Sequence, residues 1–82
     1  MAKANAPKKF KNYQWIVRDP GLLGGKLAIR GTRLSVALIL ECLSSGMDKG
    51  EIDRAFGGVY PHDATSEVLK VASELADDPE AA

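Results

Sequence analysis

Apolar residues recur at helical spacing in three stretches of the second half of the chain. Each stretch opens with a polar residue suited to cap a helix, namely Ser35, Asp48 or Thr65. Glu51 follows Asp48 by three residues, which is the spacing of a capping box. Three buried stripes are predicted: Val36, Ile39, Leu40 and Leu43; Ile52, Ala55 and Phe56; and Val68, Val71, Ala72 and Leu75. The pattern therefore predicts three helices, with stop signals at Gly46, at Gly57-Gly58 and at Asp77-Asp78-Pro79.

Two shorter stretches before these helices predict a β-hairpin. The segments 14–18 and 26–30 read as strands, and Asp19-Pro20-Gly21 between them is a strong turn signal. We expect Gly24 and Gly25 to supply positive φ angles in the connection. Because an isolated two-stranded ribbon is marginal in water, the hairpin must lie on the helices or pair with a second chain.

The domain organisation follows from these elements. Residues 1–12 are polar and lysine-rich, and we expect a disordered basic arm. Residues 13–78 form one domain, and 79–82 are a tail. The predicted fold class is mostly α, with an N-terminal β-hairpin followed by a three-helix unit. Leu38 and Cys42 lie off the apolar stripe of the first helix, so that helix is apolar on most of its circumference and a homodimer is expected.

Charge is separated along the chain although the net charge is zero. Residues 1–33 carry eight bases and one acid, whereas residues 34–82 carry three bases and ten acids. Such separation suggests that the first half meets a polyanion and the second half meets a basic partner. The alternative is that the two halves neutralise each other, within the fold or across a dimer.

The chemistry-bearing residues give little support to catalysis or to a cofactor. Cys42 is the only cysteine and His62 the only histidine, which excludes an internal disulfide and argues against most metal sites. His62 lies beside Pro61 in a predicted turn, and Cys42 has no basic neighbour to activate it. The glycines around position 25 lack the spacing of a phosphate-binding loop. We therefore expect a cytoplasmic binding protein with no enzymatic activity, no cofactor, no metal and no membrane association.

Several motifs resemble the DUF433 family of small bacterial proteins. They are Ile16-Val17-Arg18-Asp19-Pro20, Gly24-Gly25-Lys26, Ile29 to Val36 with its Arg-Gly-Thr-Arg core, and Tyr60-Pro61-His62 with Thr65 and Glu67. The resemblance spans about three-quarters of the chain, with extra residues around Gly57-Gly58-Val59 relative to the family pattern. It implies a VapB-like antitoxin with a homeodomain-like helix-turn-helix, of the kind that is paired with a PIN-like ribonuclease toxin.

Candidate DNA-binding residues come from the basic first half and from the third helix, which is the recognition helix by its order in the chain. They are Lys8, Lys9, Lys11, Arg30, Arg33, Thr65, Ser66 and Lys70. Arg30, Arg33 and Lys70 have structural alternatives: at least one of the two arginines ties the hairpin to an acid such as Glu41, and Lys70 pairs with acids of its own helix. Similarly, Tyr13 and Trp15 either stack on bases or pack onto the helices.

Two functional hypotheses follow. The first is an antitoxin that binds operator DNA as a dimer and neutralises a cognate toxin through acids at the end of the third helix, Glu74, Asp77 and Asp78. The second is a protein-interaction module with a degenerate helix-turn-helix that does not bind DNA. The acidic third helix favours the second hypothesis, whereas the basic first half favours the first.

Overall fold

A computed structural model describes residues 8–21 and 23–77 of the chain. A three-stranded antiparallel sheet is followed by three helices. The strands are β1 (Lys8–Lys9), β2 (Ile16–Arg18) and β3 (Leu27–Ile29), in the order β1-β2-β3. The helices are α1 (Val36–Ser44), α2 (Lys49–Ala55) and α3 (Ala64–Ala76). The predicted fold class is therefore confirmed at the level of an N-terminal hairpin followed by helices. None of the helices within these residues is long and apolar enough to cross a bilayer.

The sheet has one strand more than the pattern predicted. Strands β2 and β3 form the expected hairpin, with Ile16 opposite Ile29. In β1, Lys8 pairs with Arg18 and Lys9 with Val17, so part of the segment 1–12 predicted as a disordered arm forms a strand. The reason is that backbone pairing with β2 orders a polar segment that has no apolar periodicity of its own. Residues 1–7 lie outside the described part of the chain.

The glycines predicted at the turns have positive φ angles. Gly24 and Gly25 have φ angles of 65° and 83° in the connection between β2 and β3. Gly46 has a φ of 96° directly after α1, where its N–H donates to the carbonyl of Leu43 and the next N–H donates to Cys42. These two bonds form a Schellman motif, which satisfies carbonyl groups that the end of the helix leaves without partners.

The N-terminal caps agree with the sequence at two helices and differ at the third. The Ser35 hydroxyl accepts the N–H of Leu38 at 3.0 Å, and Asp48 and Glu51 form a complete capping box. The prediction for Thr65 was wrong, because α3 begins at Ala64 with Asp63 at the N-cap position and no side-chain cap. The Thr65 hydroxyl instead lies 2.6 Å from that of Tyr60.

The core lies where the sheet meets the three helices. Its fully buried members come from every layer, and the largest are Ile16, Ile29, Ile39, Ile52 and Val68. Two predicted core positions, Ala55 and Leu75, are exposed because they lie in the last turns of α2 and α3, where no element covers them. The N-terminal two-thirds of α3 therefore contribute to the core, whereas the C-terminal end of that helix lies outside the core.

Glycine-to-alanine substitutions at two positions should have opposite effects on stability. Gly46→Ala should destabilise the protein by about 1 kcal/mol, because alanine is strained at a φ of 96°. Gly50→Ala, within α2 and at ordinary φ, should stabilise it by about 0.5–1 kcal/mol, because alanine loses less backbone entropy in a helix. Urea denaturation of both variants measures the difference, and equal effects would contradict the assignment of Gly46 as the helix terminator.

Candidate nucleic-acid interface

Two glutamates of α3 hold the segment that precedes β2. The carboxylate of Glu67 accepts the backbone N–H of Gln14 at 3.0 Å and that of Trp15 at 2.6 Å. Two turns further along the same face, the Glu74 carboxylate accepts the Tyr13 hydroxyl at 2.7 Å. We call Glu67, Glu74 and these three partners the carboxylate clamp. It ties the N-terminal segment to α3 across more than fifty residues of sequence.

The clamp changes the protonation behaviour of two of its members. Burial, the hydrogen bond to Glu74 and the negative charges of Glu74 and Glu67 raise the pKa of Tyr13 to about 12. The Tyr13 hydrogen bond, helped by the positive charges of Lys11 and Lys70, holds the pKa of Glu74 below its ordinary value. Glu74 is therefore a carboxylate stabilised in its charged form, with the Lys11 ammonium 3.6 Å from its Oε1.

Three of the predicted DNA-binding bases lie around this clamp. Lys11 pairs with Glu74, and Lys70 lies on α3 between Glu67 and Glu74. The Arg30 guanidinium lies 5.4 Å from the centre of the ring of Trp15, the residue whose backbone N–H donates to Glu67. The structure thus brings bases from the N-terminal segment, from the end of β3 and from α3 to one region, where sequence alone had given only separate candidates.

The exposed face of α3 is small and nearly neutral. Ser66, Leu69, Lys70 and Ser73 are exposed there, and Leu69 is 51% exposed. Thr65 does not belong to this face, since it is half-buried and its hydroxyl is engaged by Tyr60. Because the two glutamates bond to the N-terminal segment, Lys70 forms no ion pair within residues 8–21 and 23–77.

The remaining predicted site residues lie elsewhere. Lys8 and Lys9 form β1 beside Arg18 and Val17. Arg33 lies in a cleft with Asp19, between the turn after β3 and the end of α2. Within residues 8–21 and 23–77, neither Arg30 nor Arg33 pairs with Glu41, the acid suggested as a structural tie.

The predicted acidic partner surface is only partly free. Glu74 is engaged by Tyr13 and Lys11, whereas Asp77 is exposed and terminates α3. Asp78 lies outside the described residues. Of the three predicted acids, Glu74 therefore contributes to the tertiary structure as well as to the surface charge.

Residues with catalytic or metal-binding potential are few in the described part of the chain. His62 Nε2 lies 3.1 Å from Asp53 Oδ2, at the surface, and Cys42 is a half-buried free thiol. No group of three His, Cys, Asp or Glu residues able to hold a metal ion occurs within residues 8–21 and 23–77. Burial raises the pKa of Tyr60, the tyrosine of the core.

Sequence reasoning missed the clamp. The sequence identifies Glu67 only as a family-motif residue and as a neighbour of Lys70, and Tyr13 and Trp15 only as packing or stacking residues. One local signal was available, since Glu67 and Glu74 are seven residues apart and so occupy one helix face. What lies opposite that face depends on the path of the chain, which the local pattern does not give.

Replacing Tyr13 with Phe should reduce the loss of stability at acid pH. The lowered pKa of Glu74 in the folded state stabilises the protein above the ordinary glutamate pKa of about 4.3, and this contribution is lost as the pH falls through the lower folded value. Tyr13→Phe removes the largest cause of that shift, so its melting temperature should fall less steeply below about pH 4.3. Tyr60→Phe is the matched control, because its hydroxyl contacts Thr65 and no carboxylate. An acid dependence of Tyr13→Phe as steep as the parent's would contradict the assignment.

Comparison with known proteins places the chain in a family. Residues 16–67 match the family model described as Protein of unknown function (DUF433), a span that includes Glu67 but neither Tyr13 nor Glu74. Searches among curated proteins and among solved structures found no match. Since the matched span, which runs from β2 into α3, covers more than half of the residues, the chain belongs to the DUF433 family.

Proposed function

We propose that the protein is an antitoxin-like DNA-binding protein that reads operator DNA with α3 and neutralises a cognate ribonuclease toxin. The observation that carries this proposal is the clustering of Lys11, Arg30 and Lys70 around the clamp. Bases that converge from three separate elements beside one exposed helix face are suited to a polyanion.

The carboxylate clamp answers the main electrostatic objection to DNA binding. A helix with Lys70 between two acids is poorly suited to bind phosphates, because the carboxylates repel them. Here Glu67 is occupied by two backbone N–H groups, and Glu74 by Tyr13 and Lys11. The N–H donors hold Glu67 toward the N-terminal segment and Lys11 offsets the charge of Glu74, so the exposed face of α3 keeps Ser66, Ser73 and Lys70 for contact with a groove.

The chemistry of each side chain determines which part of the DNA it contacts in this proposal. Arg30 contacts a phosphate and sets the position of the protein, while Ser66 and Lys70 contact base edges in the major groove. A homodimer, suggested by the apolar circumference of α1, would match a palindromic operator. The exposed acid end of α3 would meet the basic surface of the toxin.

A second candidate is a protein-interaction module that does not bind DNA. It is favoured by the connection between α2 and α3, which runs over eight residues, 56–63. Helix-turn-helix motifs use a turn of about 3–4 residues. It is also favoured by Leu69, an exposed apolar side chain in the middle of the face that would read DNA.

Replacing two of the clustered bases should weaken DNA binding in a salt-dependent manner. Arg30→Ala with Lys70→Ala should lower the slope of log K against log salt by about 1, at about 0.9 per phosphate contact, because Arg30 is the one of the two that contacts a phosphate. Lys26→Ala with Arg54→Ala removes the same charges elsewhere and is the matched control. The measurement is an electrophoretic shift with the DNA upstream of the gene, over a series of salt concentrations.

Two results would contradict the DNA-binding proposal. The first is the absence of binding by the parent protein at low salt, which would favour the interaction module. The second is an equal loss of slope in the control variant, which would mean that the binding follows net charge alone. Deleting residues 1–12 is not a suitable test, because the deletion removes β1 and Lys11 together with the rest of the segment.

Replacing Asp77 and Asp78 should slow capture of a toxin. Asp77→Ser with Asp78→Ser should lower the association rate at low salt and leave the dissociation rate nearly unchanged, because charges at the rim of a contact mainly steer the encounter. Glu74→Ser is the contrasting variant: it breaks the Tyr13 hydrogen bond and should lower the melting temperature as well. The measurement is association with the product of the adjacent gene at two salt concentrations. An unchanged rate in the Asp77 and Asp78 variant would exclude this end from the contact.

A further inference from the structure

The cleft around Arg33 has the form of a small-molecule site. About 580 Å³ of space that is open to solvent lies between the connection after β2, the turn after β3 and the end of α2. Small-molecule sites are concave, mostly apolar and equipped with a few placed polar groups, at volumes of about 300–1,000 Å³. This cleft meets that description, because its walls include Leu34, Phe56 and Val59 beside Arg33 and Asp19.

Both charged groups of the cleft retain binding capacity. Within residues 8–21 and 23–77, neither Arg33 nor Asp19 belongs to an ion pair. Asp19 uses Oδ1 to accept the N–H of Gly21 at 2.9 Å, which fixes the carboxylate in a local turn and leaves its second oxygen for another donor. A guanidinium can hold a carboxylate through two parallel hydrogen bonds.

The apolar walls of the cleft favour ligands that carry an apolar group. Val59 is 55% exposed and Phe56 is half-buried, so both have apolar surface that a ligand could cover. Covering such surface is favourable by about 0.8 kcal/mol for each buried CH₂ group. A ligand that uses every wall therefore carries one negative group, one positive group and an apolar branch.

We propose that this cleft binds a free α-amino acid with an apolar side chain. Arg33 takes its carboxylate, Asp19 takes its ammonium group, and the side chain lies against Phe56 and Val59. The site is separate from the proposed DNA-binding surface, since Arg33 and Asp19 do not take part in the carboxylate clamp. Because the cleft is open and the ligand is small, the expected Kd is on the order of a millimolar.

The test is a titration of ¹⁵N-labelled protein, followed by the amide signals of Gly31, Thr32 and Val59. L-Leucine and L-phenylalanine should shift these signals, and glycine should bind about tenfold more weakly because it lacks the apolar branch. Leucinamide, which lacks the carboxylate, and N-acetyl-leucine, which lacks the ammonium group, should each bind about tenfold more weakly than leucine.

Matched variants assign each ionic contact. Arg33→Gln should weaken leucine and N-acetyl-leucine by about tenfold and leave leucinamide unchanged. Asp19→Asn keeps an oxygen for the N–H of Gly21, and it should weaken leucine and leucinamide while leaving N-acetyl-leucine unchanged. Arg54→Gln, at an exposed arginine of α2 outside the cleft, is the control and should change none of these affinities.

Two outcomes would overturn the proposal. One is the absence of shifts at these amides with leucine and phenylalanine at ten times the expected Kd. The other is equal binding of leucine and its two blocked analogues, since the charged groups would then have no role. Neither outcome bears on DNA binding, which depends on other residues and is measured without amino acids.

Discussion

The hydrogen bonds between the α3 carboxylates and the segment before β2 determine how the two halves of this chain fit together. Glu67 satisfies two consecutive backbone N–H groups that enter the sheet, and Glu74 satisfies the hydroxyl of Tyr13. Without these acceptors, the N–H groups of Gln14 and Trp15 would rely on water at the point where β2 begins. The entry of β2 is thus fixed against α3, and with it the sheet is fixed against the helices.

This arrangement gives the separation of charge in the sequence a partly internal explanation. The basic first half and the acidic second half meet at Lys11 and Glu74, 3.6 Å apart. An exposed ion pair of this kind adds little stability by itself. The hydrogen bond from Tyr13 is the larger cause of the lowered pKa of Glu74. Bases that are not used in this way, such as Lys70 and Arg30, stay at the surface beside the clamp.

The fold presents two different surfaces with different chemistry. Around α3, bases border a face of small polar residues, a combination suited to a polyanion. In the cleft beside Arg33, opposite charges border an apolar wall, a combination suited to a small zwitterion. Among the family-motif residues, Asp19 and Gly31 to Leu34 line the cleft, whereas Glu67 belongs to the clamp.

Local interactions account for what the sequence determined by itself. The caps at Ser35 and Asp48 and the terminating glycine at position 46 each act within a few residues, so they were predicted correctly along with the three helices and the β2–β3 hairpin. Only the tertiary structure decided the pairing of Lys8–Lys9 with β2, the diversion of the Thr65 hydroxyl to Tyr60 and the partners of Glu67. The physical reason is the same in each case: a polar group bonds to whichever acceptor or donor the folded chain brings to it, and that partner can be more than fifty residues away.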